Sequence, residues 1–214
     1  ARPGRRTAAL RAGVRYERDW RPRALTVPED AALPRGAVCL ITGAFGGIGL
    51  TVARRLWRDH GARLVLLGRS ALPERGEWPA LIRQAPPGDP LAARLRAVEA
   101  LEAEGAEVLT LAADICNVEE VEAARAAAEA RFGRIDAVIH AAGVVDDAPI
   151  LAKTPESIEQ VLAPKLHGTM VLDSAFPDGS VGLIVVFSSS STVTTPPGQL
   201  DYVAANSFLN AWAE

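Results

Sequence analysis

The sequence predicts an α/β protein in which helices cover both faces of one doubly wound parallel sheet. From about residue 35 onward, short apolar runs alternate five times with stretches of helical periodicity. Most of these runs are continuously apolar, as strands buried on both faces require. Strand–helix–strand units of this kind join parallel strands through right-handed crossovers, which gives the doubly wound architecture.

Each predicted element has its own signal. Apolar runs predict strands at 37–42, 63–68, 106–114, 135–140 and 181–187. Helical periodicity predicts helices at 48–60, 90–104, 118–132, 155–176 and 199–212. Glycine follows the first three of these helices, where a left-handed residue commonly ends a helix. Proline and glycine are frequent between residues 70 and 90, so we expect a surface insertion there.

The two ends of the chain depart from this alternation. Val14–Trp20 alternates weakly and predicts an edge strand, and the prolines of residues 21–34 predict a linker. The nucleotide-binding version of the fold commonly has six strands, whereas the chain stops after the fifth strand and one helix. We therefore expect a fold that is incomplete at the C-terminus, in a chain truncated at both ends that is unstable alone.

Composition excludes several classes of function. The 214 residues carry a formal net charge of −3, which disfavours a nucleic-acid partner, and no apolar run approaches the ~20 residues of a membrane span. The two cysteines, Cys39 and Cys116, lack both a disulfide framework and the spacing of metal ligands. We therefore expect a cytoplasmic protein with no metal, no nucleic acid and no membrane partner.

A glycine turn between the first strand and first helix predicts a dinucleotide site in a Rossmann-like fold. The spacing Gly43-x-x-Gly46-x-x-Gly49 allows a tight turn, close approach of a pyrophosphate, and close packing of helix on strand. The anion then meets the positive end of the helix. The residues predicted to contact the cofactor here are Thr42, Gly43, Phe45, Gly46, Gly47, Ile48 and Gly49.

The ends of the later strands supply the rest of the predicted cofactor site. Arg69 and Ser70 follow the second strand, where an arginine suits a ribose 2′-phosphate, so NADPH is favoured over NADH; the alternative is a solvated arginine. Asp114, with Ile115, ends the third strand and is placed to hold the adenine amino group. The fourth strand ends beside the nicotinamide ribose in His140, Ala141, Ala142 and Gly143.

A tyrosine, an asparagine and a serine predict carbonyl reduction beside that cofactor. Tyr202 and Asn206 lie one helical turn apart, and Ser189 follows the fifth strand. Reducing a carbonyl needs an acid for the developing alkoxide, and a free tyrosine, with a pKa of about 10, is a poor one. A neighbouring cation lowers that pKa. Lys165 is the candidate, with an ordinary surface lysine as the alternative.

From about residue 35 onward the chain resembles the ketoreductase domains of modular polyketide synthases, a branch of the short-chain dehydrogenase/reductases. Ordinary members of that superfamily carry Tyr-x-x-x-Lys, whereas these domains, like this chain, have asparagine after the tyrosine and the lysine upstream. The blocks that carry the resemblance are Thr42–Gly49, Leu66–Ser70, His140–Gly143, Pro164–Thr169, Phe187–Ser189 and Pro197–Leu209.

The resemblance implies a role for each candidate. Tyr202 is the proton donor, Ser189 orients the substrate carbonyl, Lys165 tunes Tyr202, and Asn206 supports the lysine and a water relay. The competing serines are Ser188, Ser190 and Ser191. The implied reaction is hydride transfer from NADPH to a 3-ketoacyl thioester on the phosphopantetheine arm of an acyl carrier protein. The other domains of a polyketide synthase are the implied partners.

The same resemblance implies a stereochemical outcome and a domain division. Val145-Asp146-Asp147 keeps both acids of the Leu-Asp-Asp marker of B-type domains, and Thr194 replaces the A-type tryptophan. A D-hydroxyl product is therefore expected, with Asp147 as the stereocontrol residue. Residues 1–34 are expected to form the tail of a preceding structural subdomain plus linker, and residues 35–214 the catalytic part. The rival hypotheses are a free-standing NADPH-dependent reductase and a redox-inactive domain that binds NADPH or assists epimerisation.

Overall fold

The computed structural model describes residues 8–17, 19, 21–22, 24 and 33–214, and the chain divides into two compact units, residues 1–31 and 32–214. In the first unit, strand β1 (Ala8–Arg11) pairs antiparallel with β2 (Val14–Glu17). The predicted edge strand is thus present in part, with a partner strand that the sequence did not predict. Trp20 and most of the predicted linker lie outside the described residues, and the division at residue 34 stays a prediction.

In the second unit the described residues form a five-stranded parallel sheet. Its strands are β3 (Val38–Thr42), β4 (Arg63–Gly68), β5 (Val108–Ala112), β6 (Ala137–His140) and β7 (Leu183–Val186). Their order is β5-β4-β3-β6-β7, and every neighbouring pair is parallel. This confirms the predicted doubly wound sheet, and each strand falls within its predicted run.

Helices lie on both faces of this sheet. They are α1 (Gly47–His60), α2 (Trp78–Gln84), α3 (Pro90–Ala103), α4 (Val118–Phe132), α5 (Pro155–Ala175), α6 (Ser191–Thr194) and α7 (Leu200–Trp212). Alternate residues of the central strands enter two separate cores, with Cys39 and Ile41 on the side of α1–α3 and Val38 and Leu40 on the side of α4 and α5. Two-sided burial explains why these strands are continuously apolar.

The segment between residues 70 and 90 differs from the surface insertion expected there. It contains a 3₁₀ turn, Arg75–Glu77, followed by α2, and the side chain of Trp78 is buried in the core on the α1–α3 side. The Trp78 indole donates to the Pro73 carbonyl at 2.9 Å, and the Arg75 guanidinium lies 3.9 Å from the centroid of its ring. The insertion is therefore anchored by one buried aromatic side chain.

The strand order fixes where a ligand can bind. The chain runs from β3 outward to β5, then returns to β6 on the other side of β3, so β3 and β6 flank the switch point of the sheet. Ligands of open α/β sheets bind at the carboxyl ends of the strands beside such a point. The Asp136 carboxylate accepts from the Val38 amide at 2.8 Å and ties the starts of the two strands together. No helix in the described ranges has the length and apolarity to cross a membrane.

Two glycines of the β3–α1 turn give a matched test of this packing. A Cβ at Gly49 would lie 2.6 Å from the Gly43 carbonyl oxygen and 2.7 Å from Ala44 Cα, whereas one at Gly47 meets nothing within 4 Å. We expect Gly49→Ala to lower the free energy of unfolding by roughly 1–3 kcal/mol, because backbone must move. We expect Gly47→Ala to be neutral or slightly stabilising. Hydrogen exchange of the β3 and α1 amides in the full-length protein measures both, and equal protection in the two variants would contradict the packing argument.

Candidate active site

A cavity of about 990 Å³ opens at the carboxyl ends of the strands, beside the switch point. Eleven of the predicted cofactor residues line it: Thr42, Gly43, Phe45, Gly46, Arg69, Ser70, Asp114, Ile115, Ala141, Ala142 and Gly143. Four others do not belong to its lining among the described residues: Gly47, Ile48, Gly49 and His140. Gly49 instead packs under the turn, and the Ile48 side chain is exposed.

The glycine turn has the shape that a bound pyrophosphate requires. Gly43 has a φ of +60°, and a Cβ there would lie 2.6 Å from Ala142 Cα, so the turn rests directly on the chain after β6. The first amides of α1 have no side-chain cap, and the first turn of the helix contains no acidic residue. Uncapped amides at the positive end of a helix bind anions. The residues present therefore fit a dinucleotide.

Two arginines line the same cavity. Arg69 is exposed at the end of β4, a position that fits both the predicted contact with a ribose phosphate and the alternative of a solvated arginine. Arg94, from α3, was missed: its guanidinium lies 6.0 Å from the centroid of the Phe45 ring. The sequence marks Arg94 only as one of several charges on a predicted helix, and only the packing of α3 brings it to the cavity beside Phe45.

Below the cavity, His140 joins three elements rather than contacting it. The Thr42 hydroxyl and His140 Nδ1 are 2.7 Å apart, and His140 Nε2 lies 3.0 Å from the Pro164 carbonyl oxygen. Since a carbonyl can only accept, Nε2 carries the proton and Nδ1 accepts from Thr42. Burial lowers the pKa of His140 to about 4, so the ring is neutral. This neutral imidazole links β3 and β6 to the residue that precedes Lys165.

Lys165 is buried, with only 5% of its surface exposed, and meets the candidate tyrosine. Its Nζ donates to the Phe187 carbonyl at 2.8 Å and lies 5.9 Å from the centroid of the Tyr202 ring. Burial lowers the pKa of the lysine to about 8. A Cβ at Gly143 would lie 3.0 Å from Lys165 Cε, so the end of the cavity adjoins this side chain. The cation therefore sits between the predicted cofactor site and Tyr202.

Asn206, one turn after Tyr202 on α7, is fully buried. Its Nδ2 donates to the Tyr202 carbonyl at 2.7 Å, and its Oδ1 has no hydrogen-bond partner among the described residues. A buried acceptor without a partner costs roughly 1–3 kcal/mol. Such an atom is placed to accept from a water or a cation, which fits the predicted relay.

The serines after β7 differ in what they bind. Ser188 donates to the Asn206 carbonyl at 3.2 Å, and Ser191 donates to Gln199 Oε1 at 2.8 Å, so both hydroxyl protons are used. Ser189 Oγ instead accepts from the Ser191 amide at 3.1 Å, which orients the oxygen and leaves its own proton available in the described structure. Ser190 is exposed and precedes α6. This pattern favours Ser189 over its competitors.

The predicted stereocontrol residue Asp147 faces the start of α7. Its Oδ2 accepts from Gln199 Nε2 at 2.8 Å, and the Ala148 amide donates to the Gly198 carbonyl at 3.0 Å. Asp146 instead pairs with Lys153 at 3.0 Å. The two neighbouring acids therefore have different partners.

Known proteins are similar to this chain in sequence. A family model described as KR domain matches residues 37–214. The 6-methylsalicylic acid synthase of Aspergillus terreus is 39% identical over 187 residues, which are 86% of this chain and 10% of that protein. The 5-methyl-1-naphthoate synthase of Streptomyces sahachiroi is 37% identical over 175 residues, 81% of this chain and 10% of that one. A phenolphthiocerol/phthiocerol polyketide synthase of Mycobacterium tuberculosis is 41% identical over 180 residues, 83% of this chain and 9% of that protein. The chain thus spans about a tenth of the curated relatives it matches.

A solved structure agrees with these relatives. The crystal structure of a ketoreductase domain from the bacillaene assembly line superposes with a TM-score of 0.79 at 32% identity. The match covers 96% of this chain and 45% of that chain.

The burial of Lys165 predicts a stability that depends on pH. The usual pKa of 10.5 is lowered to about 8 in the folded protein, so the buried cation opposes folding below pH 8. As pH rises from 8 to 10.5, Lys165 loses its proton in the folded state but keeps it in the unfolded state. The cost of burying the ammonium therefore disappears, and the free energy of unfolding of the wild type rises over this range. We expect Lys165→Met to be more stable than the wild type at pH 7, with a difference that shrinks as pH rises from 8 to 10.

Pulse proteolysis in urea, reading cleavage of the 32–214 unit within the full-length protein, measures this difference. Arg83→Met, at an exposed position on α2, is the control and should show no such trend. A Lys165→Met variant less stable than the wild type at pH 7 would contradict the argument.

Proposed function

The chain belongs to the KR domain family, the ketoreductase domains of polyketide synthases, and from this premise we propose that it uses NADPH to reduce a 3-ketoacyl thioester to a 3-hydroxyacyl thioester. The observation that carries the proposal is the buried ammonium of Lys165, held 5.9 Å from the centroid of the Tyr202 ring beside the end of the dinucleotide cavity. A buried cation over the ring of a tyrosine has a chemical use in stabilising the phenolate that forms when that tyrosine gives up its proton.

The protein's own groups handle the proton. When bound, the nicotinamide cofactor supplies the hydride that the ketone carbon accepts as its carbon–oxygen π bond breaks. The Tyr202 phenol gives its proton to the resulting alkoxide oxygen, and the Ser189 hydroxyl donates a hydrogen bond to the same oxygen. The Lys165 ammonium stabilises the phenolate left behind, and the unpartnered Oδ1 of Asn206 holds a water through which Tyr202 regains a proton.

The arginines of the cavity support NADPH over NADH. Arg69 and Arg94 both line it, and a guanidinium forms strong paired hydrogen bonds with phosphate oxygens. We propose that both meet the 2′-phosphate, Arg69 from the end of β4 and Arg94 from α3.

The nature of the relatives supports the substrate and its carrier. They are synthases, one of them named a polyketide synthase, and this chain matches about a tenth of each. We propose that the ketoacyl chain is presented on the phosphopantetheine arm of an acyl carrier protein, alongside other synthase domains. We also propose the B-type D-hydroxyl product, since Asp147 is held against Gln199, three residues before Tyr202.

Removing the tyrosine hydroxyl tests the reaction. We expect Tyr202→Phe to lower kcat for a 3-ketoacyl thioester by at least about a hundredfold, because general acid catalysis typically contributes 10²–10⁴. NADPH affinity should not change. The chain's other tyrosine, Tyr16, is exposed on β2, so Tyr16→Phe is a matched control that should retain full activity.

NADPH consumption by the full-length protein, with chiral analysis of the product, gives the readout. Wild-type protein that binds NADPH and reduces no ketone would exclude the proposal in favour of a redox-inactive domain. An L-hydroxyl product would exclude only the B-type assignment.

Cofactor preference has its own test. We expect Arg94→Ala to raise the KM for NADPH by about 10- to 100-fold, as loss of a charge-assisted hydrogen bond worth roughly 1.5–3 kcal/mol implies. The KM for NADH should stay the same. Arg96→Ala is the matched control, because Arg96 lies on the same helix but donates to the Ile82 carbonyl. A KM for NADPH that Arg94→Ala leaves unchanged would remove Arg94 from the phosphate site.

A further inference from the structure

A buried ion pair joins the loop after β6 to the first turn of α7. The Nζ of Lys153 lies 2.7 Å from Asp201 Oδ2, and the two side chains are 4% and 3% exposed. The same ammonium bonds to the carboxylate of Asp146 at 3.0 Å and to the Asp146 backbone carbonyl. One cation therefore holds oxygens of two segments that are far apart in sequence.

Asp201 also bonds to the backbone of Tyr202, the residue that follows it. Its second oxygen, Oδ1, accepts from the Tyr202 amide at 2.9 Å. Gln199, the residue before α7, provides no side-chain cap for the helix. The acidic residue in the first turn of α7 is Asp201. An acid there is favoured by the helix dipole. The orientation of the turn that carries Tyr202 thus depends on where Asp201 is held.

The loop is held against the same turn at its other end. Asp147 accepts from Gln199, and Gln199 in turn accepts from Ser191, whose amide donates to Ser189. The segment from Asp146 to Lys153 is therefore fixed to residues 198–201 at both of its ends. The Asp147–Gln199 hydrogen bond is exposed to solvent, whereas the Lys153–Asp201 pair is buried.

Burial of this pair needs an explanation other than stability. Charges that are removed from water lose their solvation, and their mutual attraction offsets this loss only when the geometry of the pair is good. Apolar residues of similar size at the same positions often stabilise a protein as much as a buried ion pair does. Hydrogen bonding to Asp201, then to Asp146, raises the pKa of Lys153, so the ammonium stays charged. The hydrogen bonds from Lys153 to Asp146 are directional and specify position more sharply than an apolar contact would, and the 2.7 Å ion pair joins them to Asp201 on α7.

We propose that Lys153 and Asp201 are positioning residues that fix Tyr202 against the loop of residues 146–153, so that the proton donor keeps its position relative to the face of the bound ketone. The inference rests on the proposed ketoreductase function. Neither side chain contacts the reacting atoms. The pair acts through the first turn of α7 on one side and through Asp146 and Asp147 on the other.

The test uses the double variant Lys153→Met/Asp201→Leu, which removes both charges and leaves neither buried alone. We expect kcat to fall roughly 10- to 100-fold, since a displacement of about 1 Å has effects of that size. The fraction of the minor enantiomer should rise, the KM for NADPH should stay within about twofold, and the fold should remain as stable as the wild type. Lys153→Arg keeps the charge and should recover most of the kcat and stereoselectivity.

A double variant with wild-type kcat and stereoselectivity would overturn the inference. The surface pair Arg55–Asp59 on α1, with Arg55 78% exposed, gives the matched control. Arg55→Met/Asp59→Leu should change neither quantity.

A second readout separates this inference from the proposed function. Hydrogen exchange of residues 198–204 in the full-length protein reports how firmly the first turn of α7 is held, whether or not the protein reduces a ketone. Faster exchange in the double variant, with β3 protection unchanged, supports the positioning role. Unchanged exchange at 198–204 would overturn the inference even if the wild type proves to be an active reductase.

Discussion

The buried hydrogen-bond chain from Thr42 through His140 to the Pro164 carbonyl is the constraint on which the rest of the site depends. It joins the carboxyl ends of β3 and β6, the two strands at the switch point, to the middle of α5. Burial keeps the imidazole neutral, and of the two neutral tautomers only the Nε2–H form can bond to all three elements. Because Lys165 directly follows Pro164, this fixed carbonyl also fixes where the lysine leaves its helix.

The electrostatics of the site follow from that placement. Among the residues that the structure describes, the buried ammonium of Lys165 bonds to one carbonyl, that of Phe187, and lies over one ring, so the cation is poorly compensated. Poor compensation lowers its pKa and makes a neighbouring negative charge favourable. The Oδ1 atom of Asn206, buried without a hydrogen-bond partner in the described part of the chain, is a second energetic cost in the same region. Buried polar and charged groups that lack hydrogen-bond partners often cluster at functional sites, where a bound ligand or water supplies the missing partners.

The sequence predicted the sheet, its order of elements and the glycine turn well, because strands buried on both faces and turns that only glycine fits leave strong local patterns. Within the insertion at residues 70–90 it did not predict α2, because that helix depends on Trp78 reaching a core built by distant elements. The sequence did not predict the positions of Arg94 or of the Lys153–Asp201 pair, because each depends on neighbours that only folding brings together. Lys153, for example, is 48 positions from Asp201 in the chain. The roles of Tyr202, Ser189, Lys165 and Asn206 stay predictions that came from family resemblance.

The two lysines of the chain are both buried, yet their environments have opposite consequences. Lys153 is surrounded by carboxylate and carbonyl oxygens that raise its pKa, so its charge is permanent and serves geometry. Lys165 has no carboxylate partner in the described structure and a lowered pKa, so its charge is retained at a cost. If a carboxylate were moved next to Lys165, the cation would be stabilised without Tyr202 and would lose its influence on the phenol. The absence of an acid at Lys165 is therefore as important to the proposed chemistry as the presence of two at Lys153.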